Sequence, residues 1–150
     1  MFAVTHPLRH TLLALCLGTA ALAQAQEMVS IAGSTVNMRE EPSLNSTVLW
    51  ELQRGYPLQV TERRGEWLGV KDFEDDTGWV ARSLTSDEPY HIVKSQTLNL
   101  RKGPGTEHQI VAELARGELL KTLEKRDDWV RVERYDGATG WVARRLVWGF

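Results

Sequence analysis

The chain has 150 residues with 18 Lys+Arg against 20 Asp+Glu, and it is 42% hydrophobic and 25% charged, a soluble globular profile that disfavours disorder and a multi-span membrane protein. A formal charge of -2 offers no cationic surplus to displace counterions from a phosphate backbone, so no nucleic-acid partner is expected. Six Trp against three Tyr and three Phe put the aromatic weight in the residue that most often anchors cores and binding surfaces.

Residues 1–25 read as a secretory signal peptide: a weakly basic start at Arg9, an apolar run from Thr11 to Leu22, and small residues at Ala23 and Ala25. Cleavage is expected after Ala25, with Ala23 as the neighbouring alternative. The run is shorter than the ~20 apolar residues a spanning helix needs, so no membrane span is expected in the mature chain. The single cysteine, Cys16, lies inside the run, and Leu15 before it is too large for a lipidation signal. Removing Arg9 with the leader leaves 17 basic and 20 acidic residues, a charge of -3, and no cysteine for a disulfide, a thiolate metal site or a cysteine nucleophile. A periplasmic or secreted protein is expected.

Beyond the leader the chain is one motif written twice. A shift of 62 residues superposes 36–84 on 98–146 without a gap, and 19 of the 49 pairs are identical. The matches include Asn37/Asn99, Arg39/Arg101, Pro42/Pro104, Leu52/Leu114, Gly55/Gly117, Trp67/Trp129 and the block from Thr77 to Arg82 against Thr139 to Arg144. Strands are predicted near Thr35 to Arg39, Val48 to Leu52, Leu58 to Glu62, Glu66 to Asp72 and Thr77 to Arg82, then a closing turn with Leu84. In the second unit Ile110 to Lys125 has apolar residues at helical spacing, but Pro57 stands where the matching helix of the first unit would run, so both are read as strands. Short strands with a turn every 8 to 12 residues predict an all-β fold of two tandem small barrels, residues 26–86 and 89–150, joined by Ser86 to Pro89 with restricted relative orientation.

The string Asn99-Leu100-Arg101-Lys102-Gly103-Pro104-Gly105, followed by Gly117, Trp129 to Val132 and Gly140-Trp141-Val142, resembles the bacterial SH3-like domain. Both units carry the ordered set. The first departs at Glu40-Glu41, where the second has Lys102-Gly103, which should alter that loop's conformation and potential. The resemblance implies an extracytoplasmic binding module, non-catalytic and without a cofactor, whose relatives accompany cell-wall hydrolases such as NlpC-type peptidases. The implied partner is peptidoglycan, through its peptides or glycan; the alternative is an envelope protein, the chain then acting as an adaptor. A hydrolase is disfavoured because no nucleophile, metal spacing or acid–base pair is visible.

Pairing Val70 with Val80 puts Leu68, Val70 and Val80 on a core face and Trp67, Gly69, Trp79 and Ala81 on the other, and the second unit repeats the pattern. Trp67 with Trp79 and Trp129 with Trp141 then form outer-face aromatic surfaces suited to a peptide or a sugar. The competing reading is that these rings cover the open ends of barrels short of burial. Arg39 and Arg101 could fork onto a peptide carboxylate, or tie down their own loops through backbone carbonyls. Tyr56 and Tyr135, at turns, could extend the aromatic surface. The carboxylates of Glu74 to Asp76 read as a solvated turn, and His91 and His108 lack metal-ligand spacing. Trp148 and Phe150 are expected to pack the chain end on the second unit or between the two.

Overall fold

The computed structural model describes residues 25–150, so the signal peptide read over residues 1–25 lies, up to residue 24, outside the described residues. The first unit comprises β1 (Met28–Ile31), β2 (Thr35–Arg39), β3 (Val48–Gln53), β4 (Pro57–Arg64), β5 (Trp67–Lys71), β6 (Thr77–Ala81), a 3-10 turn (Arg82–Leu84) and β7 (Thr85–Ser86). The second repeats it as β8 (Tyr90–Val93), β9 (Thr97–Arg101), β10 (Ile110–Ala115), β11 (Leu119–Arg126), β12 (Trp129–Glu133), β13 (Thr139–Ala143), a 3-10 turn (Arg144–Leu146) and β14 (Val147–Gly149). Among the described residues no helix is long and apolar enough to cross a membrane.

Each unit is a seven-stranded antiparallel sheet, ordered β3-β2-β6-β5-β4-β1-β7 and β10-β9-β13-β12-β11-β8-β14. The five strands expected per unit are all present, with one added before them and one after. The closed barrel expected of each unit is not seen: among the described residues no ladder joins β3 to β7 or β10 to β14. Each sheet nevertheless wraps one core, since Val29 and Ile31 of β1, Met38 of β2, Leu52 of β3, Leu58 of β4, Leu68 and Val70 of β5 and Val80 of β6 share a single buried cluster. The second core is built likewise from Val93, Leu100, Leu114, Leu120, Val130, Val132 and Val142. Burial of this apolar area is the main stabilising term of each unit.

The β5–β6 register differs from the expected one. Leu68 pairs with Val80 and Val70 with Gly78, two residues away from a Val70–Val80 pair. Because the slip is even, every side chain keeps its expected face. The cause lies in the connecting loop, where the carboxylate of buried Asp72 accepts hydrogen bonds from the backbone N–H of Glu74 at 2.9 Å and of Asp76 at 3.0 Å, fixing where the strand turns back. The loop is therefore held by Asp72 rather than merely solvated.

The units touch directly. The ring of Tyr90 in β8 lies where a side chain on Gly55 would stand, 2.6 Å from that position, and Gly55 has a φ of 84°. A Cβ there would be both strained and obstructed. Across the same seam the guanidinium of Arg116 meets the Glu74 carboxylate at 2.6 Å and lies 5.1 Å from the centre of the Phe73 ring. β14 pairs with β8, and the Phe150 N–H donates to the Tyr90 carbonyl at 3.3 Å, tying the chain end to the second unit.

Candidate functional site

On the outer face of each unit a shallow groove lies over β2, β5 and β6 or their equivalents. In the first unit Asn37, Arg39, Leu44, Trp67, Ala81 and Leu84 line a hollow of about 150 Å³. In the second, Asn99, Arg101, Thr106, Trp129, Ala143 and Leu146 line one of about 130 Å³, with Arg145 at its rim, and a further hollow of about 290 Å³ containing Asp128 adjoins it. Of the eight residues lining the first hollow, which also include Thr35 and Val36, six recur unchanged 62 positions later; the exceptions are Val36 and Leu44, whose counterparts are Leu98 and Thr106. The second groove, with Arg145 in place of Ser83, is thus the more cationic.

The two arginines are anchored in the same way. Arg39 donates through one terminal nitrogen to the Ser46 carbonyl at 2.8 Å, and Arg101 donates to the carbonyls of Thr106 and His108, both at 2.9 Å. Each guanidinium ties its own loop, and these hydrogen bonds hold the group at the groove wall. In the second loop the His108 ring packs within 2.6 Å of where a side chain on Gly103 would stand, a contact closed to Glu41 of the first unit. The departure at Glu40-Glu41 therefore does change the loop's packing.

The four outer-face tryptophans do not act as two pairs. Trp67 and Trp129 line the grooves and are half-buried, whereas Trp79 and Trp141 line neither groove. Trp79 stands opposite Gly69, and its ring comes within 3.3 Å of where a Gly69 side chain would begin; Arg64 covers the ring at 4.7 Å. Trp141 stands opposite Arg131, with Arg126 over its ring at 5.0 Å, and is 8% exposed. The expected open surface at Trp141 is therefore absent, because two cationic side chains flank a ring that in the first unit faces a glycine. Cation–π contact adds to burial in holding both rings against their sheets.

Tyr56 and Tyr135 come together away from both grooves, in a cleft of about 540 Å³ between the units that Tyr90 also lines. The Tyr56 hydroxyl donates to the Asp72 carboxylate at 3.1 Å, and burial, reinforced by that carboxylate, pushes the phenol well above its usual range. Sequence reasoning missed Tyr90, whose counterpart Met28 carries no aromatic signal, and Trp50, which is 53% exposed on the edge strand β3 beside Val48 and Leu49. Among the described residues no three His, Cys, Asp or Glu cluster as a metal site.

A family model described as the bacterial SH3 domain matches the chain twice, over residues 32–87 and 94–149. The chain belongs to the bacterial SH3 domain family. It is 25% identical over 134 residues to a Bacillus subtilis protein named "Putative N-acetylmuramoyl-L-alanine amidase YrvJ", covering 82% of this chain and 26% of that protein. It is 38% identical over 55 residues to serine/threonine-protein kinase D of Synechocystis, covering 33% of this chain and 11% of the kinase. The chain thus spans about a quarter or less of the curated relatives it matches. Among solved structures, NlpC1 of Trichomonas vaginalis is similar over 91% of this chain and 50% of its own, at 13% identity and a TM-score of 0.39. An NlpC/P60 family protein of Bacillus cereus is similar over 81% and 56%, at 16% identity and a TM-score of 0.36.

Proposed function

We propose that this chain is an exported, non-catalytic protein that holds peptidoglycan peptides in the cell envelope through the repeated groove of its two bacterial SH3 domains, residues 26–86 and 89–150. The carrying observation is that each groove joins an anchored arginine, Arg39 or Arg101, to a half-buried tryptophan, Trp67 or Trp129, with an asparagine beside them. A guanidinium fixed at a wall suits a peptide carboxylate, and an adjacent flat ring buries peptide area at small entropic cost. The name of one relative, a putative N-acetylmuramoyl-L-alanine amidase, supports the choice of ligand. Two grooves on one chain raise avidity for a polymer that repeats its peptides. Residues 1–25 act as the signal peptide, and the mature chain works in the periplasm or outside the cell.

Co-sedimentation with purified sacculi tests this. The wild-type protein should pellet with the wall, and Trp67→Ala/Trp129→Ala, with an unchanged circular dichroism spectrum, should lose about tenfold in affinity or more. Wild-type protein left in the supernatant, or undiminished binding by the double variant, would overturn the groove assignment. The second reading, an adaptor for an envelope protein, is favoured by the exposed Val48, Leu49 and Trp50 on edge strand β3, since an unpaired apolar edge can accept a strand from a partner.

A further inference from the structure

All three tyrosines of the chain line the inter-unit cleft of about 540 Å³, a size that suits a small ligand. The fold of a single unit does not require them there, because the positions matching Tyr56, Tyr90 and Tyr135 hold Glu118, Met28 and Phe73. Two of the rings are fixed: Tyr90 against Gly55, and Tyr56 by its hydroxyl on Asp72. Tyr135 is 88% exposed, with the Arg134 guanidinium 5.5 Å from its ring centre and the Arg134 Nε buried without a hydrogen-bond partner. An aromatic ring left in water beside two preorganised ones is placed to be covered by a ligand.

The charges narrow the chemistry. Of the cleft's ionised side chains, Lys121 is paired with Glu88 at 2.6 Å, and Glu118 accepts from the Ala115 N–H at 3.0 Å and faces Arg134 at 3.9 Å. Among the described residues Glu51, Glu133 and Arg54 have no ion-pair partner within 4.0 Å. Glu133 stands opposite Lys121 in the ladder, but the Lys121 ammonium is held by Glu88, so two carboxylates and one guanidinium without a direct ion pair call for a ligand with both charges, the cationic end beside the electron-rich tyrosine faces. A neutral glycan would use the rings and leave the charges unanswered.

We propose that this cleft binds a short peptide presenting a primary ammonium group near a free carboxylate, the ammonium taken by Glu51 and Glu133 with the tyrosine rings and the carboxylate by Arg54. The site is separate from the repeated groove and stands whether or not the groove holds the wall. Such a peptide can come from the cell wall or from the basic carboxyl-terminal end of a protein.

The test uses the full chain, produced by export and purified from the periplasm. Isothermal titration is run with a synthetic tetrapeptide ending in lysine with a free carboxylate, with its side-chain-acetylated and carboxyl-amidated forms, with soluble peptides released from sacculi, and with a neutral N-acetylglucosamine tetramer. The tetrapeptide or the sacculus peptides should bind saturably, the tighter of the two identifying the source. Acetylation, Glu133→Gln and Tyr135→Ala should each weaken binding about tenfold, and amidation and Arg54→Gln somewhat less. Because Tyr135 is exposed, Tyr135→Ala should melt like the wild type, so lost binding is not lost fold. No binding by either peptide, equal binding after acetylation, an unaffected Tyr135→Ala, or titration by the glycan in place of the peptides would overturn the assignment.

Discussion

Gly55 and Gly117 occupy matching turns with φ of 84° and 86°, yet the ring of Tyr90 lies against the first while nothing lies within 4 Å of where a side chain on the second would begin. The shared backbone angle is what the turn needs, and the duplication keeps it. The difference in surroundings is what the junction needs. The same division holds elsewhere: Arg54 is uncommitted in the cleft while its counterpart Arg116 locks onto Glu74 and Phe73 of the other unit. Identity between the units thus traces the fold and the groove, and divergence traces where the units meet and what the cleft can bind.

The largest expected contrast concerns the tryptophans that stand outside the grooves. Truncating buried Trp141 to Ala should cost about 3–5 kcal/mol, as aromatic truncations in cores do. Trp79→Ala, at a half-buried ring facing a glycine, should cost about 1–2 kcal/mol. Urea denaturation of the two single variants measures both. Equal losses would mean that the arginine opposite Trp141 adds nothing to its burial, and the contrast between the units would fail at that position.

A second contrast is electrostatic. In the second unit buried His91 meets Thr122 through Nδ1 at 2.6 Å, where the first unit has Val29 and Val60. Desolvation, with Lys125 and Arg144 nearby, lowers the imidazole pKa from 6.5 to about 4. The unfolded chain therefore binds the proton more readily, and the neutral ring's contribution is complete above pH 6.5 and lost as pH falls towards 4. Across that window the loss should reach about 3 kcal/mol. His91→Val/Thr122→Val, which copies the first unit, should flatten the pH dependence relative to wild type in paired melts from pH 7 to about 4. A double variant as acid-sensitive as the wild type would show that the carboxylates, not His91, set the slope.

How much of this was legible in the sequence depended on whether the repeat carried it. Pro57 and the gapless superposition ruled out the helical reading of Ile110 to Lys125, and β10 and β11 occupy that segment. Strands β1 and β8 escaped notice because Met28 to Ile31 and Tyr90 to Val93 share no identical residue and are buried at three successive positions, so neither shows the apolar–polar alternation of a half-exposed strand. The face of each hairpin residue could be read from parity, while the register could not, since it depends on Asp72 capturing two backbone N–H groups. At the groove, Arg39, Arg101, Trp67 and Trp129 were legible singly as repeated residues, but the sequence paired each tryptophan with Trp79 or Trp141 and not with an arginine; the loop-tying hydrogen bonds of both arginines were one of the two roles open to them. Tyr56 and Tyr135 were legible one at a time, but their convergence with Tyr90 depends on how two units dock, which periodicity within a unit does not encode.

The smallest contrast isolates backbone strain from every other difference. The two-residue turn between β4 and β5 holds Gly65 at φ 56°, and the matching turn between β11 and β12 holds Asp127 at φ 51°. Nothing lies within 4 Å of where a Gly65 side chain would begin, and Asp127 is exposed, so packing is not at issue at either site. The left-handed region costs an L-residue roughly 1–2 kcal/mol, less for Asp, whereas glycine enters it freely but gives up more entropy on folding. Asp127→Gly should therefore stabilise the second unit by about 0.5 kcal/mol, and Gly65→Ala should destabilise the first by about 1 kcal/mol. Urea midpoints resolve shifts of this size when the slopes are unchanged. A loss of stability in Asp127→Gly would mean that the aspartate's contribution to the turn exceeds the strain it carries.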